Sequence, residues 1–127
     1  MNDFSHALTL SASGLRAQST RLKHLSENIA NADTPGYRRK TVEFRTDGTD
    51  TGAVRTGKVR LDQSELARVY DPSHPLADGS GHYQGTNVDL IVEIADSREA
   101  QRSYEANLKM FDQARQMSSA LMDLLRR

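Results

Sequence analysis

The chain has 127 residues, the usual size of one domain, and its 17 basic residues balance 17 acidic ones. A net charge of zero removes the bulk attraction that nucleic acid or an anionic membrane would need. Since there is no cysteine, disulfides, thiolate metal sites and thiol catalysis are excluded. Only 36% of the residues are apolar and tryptophan is absent, so we expect much apolar surface to be buried against partner chains.

Neither membrane insertion nor a cleaved signal peptide is expected. No apolar run reaches the length of about 18 residues that a membrane-spanning helix needs. The first ten residues, MNDFSHALTL, lack the basic region and the long apolar run of a cleavable signal peptide. If the protein is exported, we expect a route that does not depend on such a signal.

Residues 1–34 are predicted to form one long helix that ends at a turn. The helix is expected from about Asp3 to Asn31, where no proline occurs. A row of large apolar residues with seven-residue spacing contains Leu8, Leu15, Leu22 and Ile29. A second row lies four residues earlier and contains Phe4, Ser11, Gln18 and Leu25. The alternating spacing is typical of a coiled-coil face, and Pro35-Gly36 then predicts a type II turn.

Residues 87–127 are predicted to contain the second long helix, from about Val88 to Leu125. Thr86-Asn87-Val88-Asp89 has the spacing of a capping box before this helix. One heptad row then contains Tyr104, Phe111, Ser118 and Leu125. The second row lies four residues further on and contains Leu108, Arg115 and Met122. We expect the two terminal helices to pack as an antiparallel, coiled-coil-like pair and to bury further surface against neighbouring chains.

Residues 35–86 contain all three prolines and seven of the eight glycines, and they are predicted to form a small β portion. Apolar and polar residues alternate in 41–44, 58–61 and 67–70, as in half-buried strands. A polar connector, residues 46–52, links the first two strands. The predicted fold class is therefore mainly α, with a central segment of β-hairpins and loops. The expected divisions of the chain are residues 1–34, 35–86 and 87–127.

No catalytic or metal site is predicted. His74 and His82 lie near Asp71 and Asp78, but a proline disrupts the spacing and a third strong ligand is missing. The serines form neither a nucleophile elbow nor a constellation with histidine and aspartate. We therefore expect no catalytic residue, no cofactor and no metal.

Two polar features lie near the end of the first helix. Asn31 can cap the helix while Asn28 lies on the surface, or both amides can bridge to the second helix or to a neighbouring subunit. The basic run Arg38-Arg39-Lys40 lies in a neutral chain, and Glu43 follows it closely. We therefore expect this run to meet acidic groups on another protein chain rather than nucleic acid.

The residues from Ser26 to Arg38, SENIANADTPGYR, closely resemble the N-terminal signature of the axial proteins of the bacterial flagellum: rod, hook and hook-associated proteins. The runs VYDPSHPLAD (69–78), GHY (81–83) and NVD (87–89) are similar to the middle of the proximal rod members. RSYEANL (102–108) is similar to their C-terminal helix. A sister rod protein shares the first motif and the short length but usually lacks the Tyr-Asp-Pro run, and it is the alternative within the family.

This resemblance implies a non-enzymatic building block of the proximal rod. The terminal helices of the family pack as the inner layer of a tube, a drive shaft that transmits torque and forms part of the export channel. The implied partners are further copies, other proximal and distal rod proteins, the rod-to-ring adaptor and the export gate, without nucleic acid or membrane insertion. The implied location is the periplasmic rod of the basal body, reached through the flagellar type III export apparatus.

The implied role of the candidate site residues is assembly. Carried over by position, the assembly contacts are Asn28, Asn31, Thr34, Gly36, Tyr37, Tyr104 and Asn107. The heptad faces add Leu8, Leu15, Leu22, Ile29, Leu108, Phe111, Met122 and Leu125. A helical export chaperone or adaptor is the alternative from another class, but it gives no reason for the middle segment rich in proline and glycine.

Overall fold

The computed structural model describes residues 2–46, 48 and 52–126. A long helix forms each end: α1 (Asn2–Ala30) and α2 (Leu90–Leu125). The strands of the described residues lie between them: β1 (Lys40–Thr41), β2 (Phe44–Thr46), β3 (Val54–Thr56), β4 (Arg60–Leu61), β5 (Arg68–Tyr70) and β6 (His82–Gln84). The prediction of a mainly α fold with a small central β portion is confirmed. Most of the predicted polar connector, residues 47 and 49–51, lies outside the described residues.

The strands form antiparallel pairs rather than one sheet. β1 pairs with β4 and β2 pairs with β3, so these four strands form one interrupted hairpin. Between the two ladders the Gly57 N–H donates to the Glu43 carbonyl at 2.8 Å. β5 pairs with β6 as a second hairpin, with Val69 opposite Tyr83. The predicted strands overlap β1, β2, β4 and β5, whereas β3 and β6 were not predicted.

The end of α1 forms the predicted turn. Gly36 has a φ of +79°, and the Tyr37 N–H donates to the Thr34 carbonyl at 3.1 Å, as in a type II turn. The backbone N–H and the side-chain amide of Asn31 both donate to the Glu27 carbonyl, at 3.0 and 2.8 Å. Asn31 therefore caps the end of the helix. Of its two predicted roles, the cap is the one that the structure shows.

The start of α2 differs from the prediction. Asp89 is the N-cap, because its carboxylate accepts a hydrogen bond from the Ile91 N–H at 3.0 Å. The predicted capping box is therefore wrong. The Thr86 hydroxyl instead accepts from the Val88 N–H at 3.2 Å and donates to the Ala32 carbonyl at 3.0 Å. Thr86 thus joins the segment that enters α2 to the segment that leaves α1.

One continuous heptad face runs along α2. Its residues are all buried or half-buried, and they are Glu93, Ser97, Ala100, Tyr104, Asn107, Phe111, Ala114, Ser118 and Leu121. The predicted row through Tyr104 and Phe111 lies on this face. The other row of this face, Asn107, Ala114 and Leu121, lies three residues after the row of Tyr104 and Phe111. The predicted row lies four residues after it and is exposed, so that row is wrong as part of the packed face. Small residues such as Ala100 and Ala114 occupy the true row, and their weak hydrophobic signal explains the error.

The apolar core of the chain is small. Within the described residues, the buried apolar residues are Ala17, Leu25, Ala100 and Ala114. α1 contributes two packed faces, since Leu25 is buried while the Ser13 hydroxyl accepts from the Val54 N–H of β3 at 3.0 Å. Neither helix, in the part of the chain that the structure describes, is apolar enough over a sufficient length to cross a membrane.

Candidate functional site

A buried polar cluster lies where α1, α2 and the interrupted hairpin meet, and we call it the polar junction. It consists of Asn28, Tyr37, Arg39, Lys40 and Glu93. The side chains of Asn28 and Glu93 have no exposed surface. Burial of an amide or a carboxylate is strongly unfavourable without hydrogen-bond partners, so their contacts decide whether this cluster is stable.

Asn28 uses the whole hydrogen-bonding capacity of its side-chain amide. Nδ2 donates to the Lys40 carbonyl at 2.9 Å and to Oε2 of Glu93 at 3.2 Å. Oδ1 accepts from the Tyr37 hydroxyl at 2.8 Å and from the Lys40 N–H at 2.9 Å. Asn28 therefore holds α1, α2 and β1 together. The interpretation that this amide bridges to the second helix is confirmed, and the bridge lies within one chain.

Glu93 and Arg39 form the ionic part of the junction. The Arg39 Nε donates to Oε1 of Glu93, and its Nη2 donates to Oδ2 of Asp96 at 3.1 Å. The Arg39 backbone N–H donates to Oδ1 of Asn87 at 2.7 Å. The buried Glu93 carboxylate is thus compensated by a guanidinium as well as by the Asn28 amide. Removing one partner of such a pair is far more costly than the pair's net contribution.

The neighbours of Arg39 in the basic run also bind groups of their own chain. The Lys40 ammonium donates to Oε2 of Glu27 at 2.6 Å, and this pairing lowers the pKa of Glu27 and raises that of Lys40. The Arg38 Nη1 donates to the carbonyls of Asp62 and Ser64, both at 3.0 Å. All of these partners are intramolecular, and contact of the run with acidic groups on another chain stays a prediction.

Tyr37 and Asn87 complete the junction. Burial raises the pKa of Tyr37, so its hydroxyl stays protonated as the donor to Asn28. Asn87 connects Arg39 to the β4–β5 segment, since its Nδ2 donates to the Asp62 carbonyl at 2.9 Å. Sequence reasoning missed the roles of Asn87 and Glu93, and it assigned Arg39 to acidic groups on another chain rather than to Glu93. Glu93 had a detectable signal, because it is a lone carboxylate inside the apolar run LIVEIA.

The histidines considered as metal ligands have structural contacts instead. The His74 ring stacks on Tyr83 with ring centroids 3.9 Å apart, and its Nδ1 accepts from the Leu76 N–H at 3.1 Å. The His82 Nδ1 lies 3.1 Å from the Ser80 hydroxyl. Among residues 2–46, 48 and 52–126, no three histidine, aspartate or glutamate side chains are grouped so that they could hold a metal ion.

Asp78 gives the loop before β6 an acid-sensitive contact. Its Oδ1 accepts from the Ser80 hydroxyl at 2.6 Å, from the Ser80 N–H at 2.9 Å and from the His82 N–H at 3.1 Å. These bonds lower the pKa of Asp78 from 3.8 to about 2. Because the folded pKa is the lower one, the contact stabilises the loop above about pH 4, and this stabilisation is lost as the pH falls towards 2.

We expect Asp78 to titrate near pH 2 in the folded protein, and the His82 amide shift to follow it. NMR titration of the Asp78 carboxyl carbon measures this directly. Asp78→Asn should remove the change at His82, whereas Asp33→Asn at an exposed site should leave it. A carboxyl midpoint near pH 4 would contradict the assignment.

The other candidate site residues are distributed along the chain. Thr34 and Gly36 are exposed in the turn after α1, and Asn31 is half-buried. On the helices the half-buried candidates are Leu8, Leu15, Leu22, Ile29, Tyr104, Asn107 and Phe111. The exposed candidates are Leu108, Met122 and Leu125. The structure therefore brings Asn28 and Tyr37 together in the junction and leaves several apolar candidates open to solvent.

Comparison with known proteins gives consistent matches over most of the chain. Residues 8–38 match a family model described as flagella basal body rod protein, and residues 80–124 match one described as flagellar basal body rod FlgEFG protein C-terminal. A flagellar basal-body rod protein FlgC from Agrobacterium fabrum is 43% identical, over 99% of this chain and 98% of that protein. The FlgC proteins of Salmonella typhimurium and Bacillus subtilis are 37% and 31% identical, over 85% and 94% of this chain and 87% and 96% of their own lengths. The matched ranges include Asn28, Tyr37 and Glu93.

Proposed function

Because the chain belongs to the FlgC family of flagellar basal-body rod proteins, we propose that its two helices polymerise with neighbouring subunits into the inner layer of the rod tube. The protein is a structural subunit of the flagellar basal-body rod, and such a subunit has to present surface to its neighbours.

The observation that carries the proposal is a set of exposed apolar side chains in the second half of α2, which we call the assembly stripe. Its members are between 39% and 68% exposed, and they are Leu108, Met110, Met117, Met122, Leu124 and Leu125. They are exposed, so α1 does not cover them. Large contiguous apolar surface is uncommon on monomeric proteins. Since Leu25 is the one large apolar residue buried within the described part of the chain, neighbouring subunits are needed to complete the burial.

An antiparallel, coiled-coil-like arrangement of the helices is part of the proposal. Asn28 contacts Glu93 at 3.2 Å, and Arg21 pairs with Glu99 at 3.7 Å. Gly14 lies against the Asn107 side chain. Residues closer to the start of α1 therefore contact residues closer to the end of α2, as in an antiparallel pair. Together with the heptad face, this order supports the arrangement and brings the start of α1 beside the assembly stripe.

The three segments then have separate roles. Residues 1–34 and 87–127 form the tubular layer, and residues 35–86 form a small outer portion. The assembly stripe and the half-buried Leu8, Leu15, Leu22, Ile29, Tyr104, Asn107 and Phe111 contact neighbours or support those contacts. The junction with Asn28 and Tyr37, and the turn with Asn31, Thr34 and Gly36, fix how the outer portion is attached.

We propose a purely structural role without catalytic residue, cofactor or metal. The partners are further copies, other rod proteins, the rod-to-ring adaptor and the export gate. Within the assembled shaft the subunits transmit torque and line part of the export channel. The route is the flagellar type III apparatus, and the location is the periplasmic part of the basal body.

Met117→Asp tests the proposed surface. We expect normal helicity and export but loss of rod assembly and at least a tenfold loss of motility, because a buried unpaired carboxylate is strongly unfavourable. Gln116→Asp is the matched control, since it adds the same charge at the adjacent exposed position. Motility in soft agar and imaging of purified basal bodies measure the outcome. Normal rods built from Met117→Asp would contradict the proposal.

Immunoblots of basal bodies from cells with the unsubstituted protein distinguish a rod subunit from an export chaperone or adaptor. A rod subunit is present in them, whereas an export chaperone or adaptor forms soluble complexes and is absent. The sister rod protein is distinguished by complementation of strains that lack one or the other rod protein.

A further inference from the structure

We propose that the thioether sulfurs of Met110 and Met117 are an oxidation site for peroxides, and that a chain with sulfoxides at these positions is excluded from the rod. The inference rests on the proposed function, because oxidation makes part of the assembly stripe polar. It adds two properties to that function: the free subunit is sensitive to peroxide at these sulfurs, and the assembled subunit is protected.

Methionine is the only sulfur-containing residue type in the chain. The sequence has four methionines and no cysteine. Three of the four lie in the second half of α2, where Met110 is 60% exposed, Met117 is 50% exposed and Met122 is 39% exposed. An exposed thioether is open to a dissolved oxidant, which converts it to the sulfoxide. Peroxide therefore finds no thiol to consume it and has direct access to these thioethers.

Met110 and Met117 lie on one face of α2, because seven residues are almost two turns of an α-helix. Their Cα atoms are about 10 Å apart along the helix axis. Leu124, which is 64% exposed, continues the row at the same spacing. Met122 lies about 120° further around the helix than Met110, so it belongs to a different face. Two sulfoxides at Met110 and Met117 would therefore make one apolar row polar at two of its three positions.

The reaction is a two-electron oxidation of sulfur. A lone pair of the thioether sulfur attacks one oxygen of hydrogen peroxide, so that an S–O bond forms and the O–O bond breaks. The leaving hydroxide takes the proton from the transferred oxygen and becomes water. One thioether and one peroxide thus give one sulfoxide and one water, with sulfur oxidised and peroxide reduced.

The sulfoxides should affect assembly rather than folding. Each one adds a polar oxygen that accepts hydrogen bonds. In the free subunit this oxygen is solvated, because Met110 and Met117 are exposed and are not part of the packed face of α2. In a contact between subunits it would be buried beside apolar groups without a donor, which is unfavourable.

Peroxide treatment of the purified chain and of isolated basal bodies tests the site. In the folded chain we expect Met110 and Met117 to oxidise within about threefold of their rates in the urea-unfolded chain, with unchanged helicity by circular dichroism. In basal bodies both sulfurs should oxidise about tenfold more slowly than in the free chain. Digestion and mass spectrometry measure each position. Met110→Leu/Met117→Leu keeps the row apolar and should remove both sites of oxygen addition.

Exclusion from the rod is measured in cells that lack methionine sulfoxide reductases, so that sulfoxides persist. The chain is expressed only after peroxide has been added. The sulfoxide content of Met110 and Met117 is then compared between purified basal bodies and the soluble chain of the same cells. We expect about tenfold less sulfoxide in the basal bodies, because oxidised chains compete poorly for assembly.

Glutamine substitution gives an independent measurement without peroxide, since its amide adds a polar oxygen to a side chain of similar length. Met110→Gln/Met117→Gln should lower motility about tenfold. Glu105→Gln/Lys109→Gln is the matched control, because it places two glutamines at exposed positions on another side of α2 and leaves the net charge unchanged.

Any of four results would overturn the inference. They are slow oxidation of both sulfurs in the folded free chain, equal oxidation rates in basal bodies and free chain, equal sulfoxide content in basal bodies and soluble chain, and normal motility of Met110→Gln/Met117→Gln. In each case the chain is still found in basal bodies. Failure of the proposed function is read separately, from the absence of the chain in basal bodies of untreated cells.

Discussion

Glu93→Ala is expected to lower the free energy of unfolding by about 3–5 kcal/mol, the range measured when one partner of a buried ion pair is removed. The substitution leaves the Arg39 guanidinium without its buried carboxylate and removes one of the two acceptors of the Asn28 amide. It also opens a cavity where α1, α2 and the hairpin meet. Urea unfolding of the purified subunit, followed by circular dichroism at neutral pH, measures the loss.

Two control variants are informative: one separates the loss of charge at Glu93 from the loss of shape, and the other removes an exposed ion pair. Glu93→Gln keeps the shape and an oxygen that can accept from Asn28, so we expect a smaller loss than for Glu93→Ala. Glu99→Gln removes the ion pair with Arg21, but Glu99 is 68% exposed, so at most about 1 kcal/mol should be lost. Equal losses for Glu93→Ala and Glu99→Gln would contradict the role assigned to the junction.

The helices were predictable because they are long. The predicted ranges of about Asp3–Asn31 and Val88–Leu125 agree with α1 and α2 to within two residues, since periodicity, proline and glycine all act over many positions. The short strands gave a weaker signal. β3 and β6 contain three residues each, and their pairing depends on the neighbouring strands β2 and β5 rather than on their own pattern.

The polar junction was only partly predictable. Asn28 and Tyr37 lie in a recognisable motif, and one interpretation of Asn28 was a bridge to the second helix. Its partner Glu93 is 65 residues away in the chain, and Arg39 is 54 residues from Glu93, so no local pattern identifies the pairing. Folding brings these groups together because α1 and α2 pack along each other.

The register of the α2 face shows a second limit of sequence patterns. Hydrophobic periodicity gives weight to large apolar residues, so Leu108 and Met122 were assigned to the packed face. The structure uses Ala100, Asn107 and Ala114 there instead. Small residues allow close approach of the helices, and the large apolar residues remain available for other subunits. A pattern alone does not distinguish these two uses of an apolar residue.

Gly14→Ala provides the test of this close approach. Alanine is a better helix former than glycine by about 1 kcal/mol, so the substitution would stabilise an exposed helix. Here a Cβ on Gly14 would lie 2.7–2.9 Å from three atoms of the Asn107 amide. Asn107 would have to turn away and lose its bond to the Ser103 carbonyl, which is 3.0 Å long. We expect the overlap to dominate, with a net loss of about 1–3 kcal/mol.

Gly14→Ala/Asn107→Ala should recover much of this loss, because removal of the amide relieves the overlap. The double variant should therefore be more stable than Gly14→Ala by about 1 kcal/mol, a coupling typical of residues in contact. Ser19→Ala at an exposed position of α1 is the control for helix propensity. Urea unfolding of the unsubstituted protein, Gly14→Ala, Asn107→Ala and the double variant completes the double-mutant cycle. If Gly14→Ala gains stability as an exposed site would, α1 and α2 are further apart at Asn107 than the contact requires, and small residues do not determine their spacing.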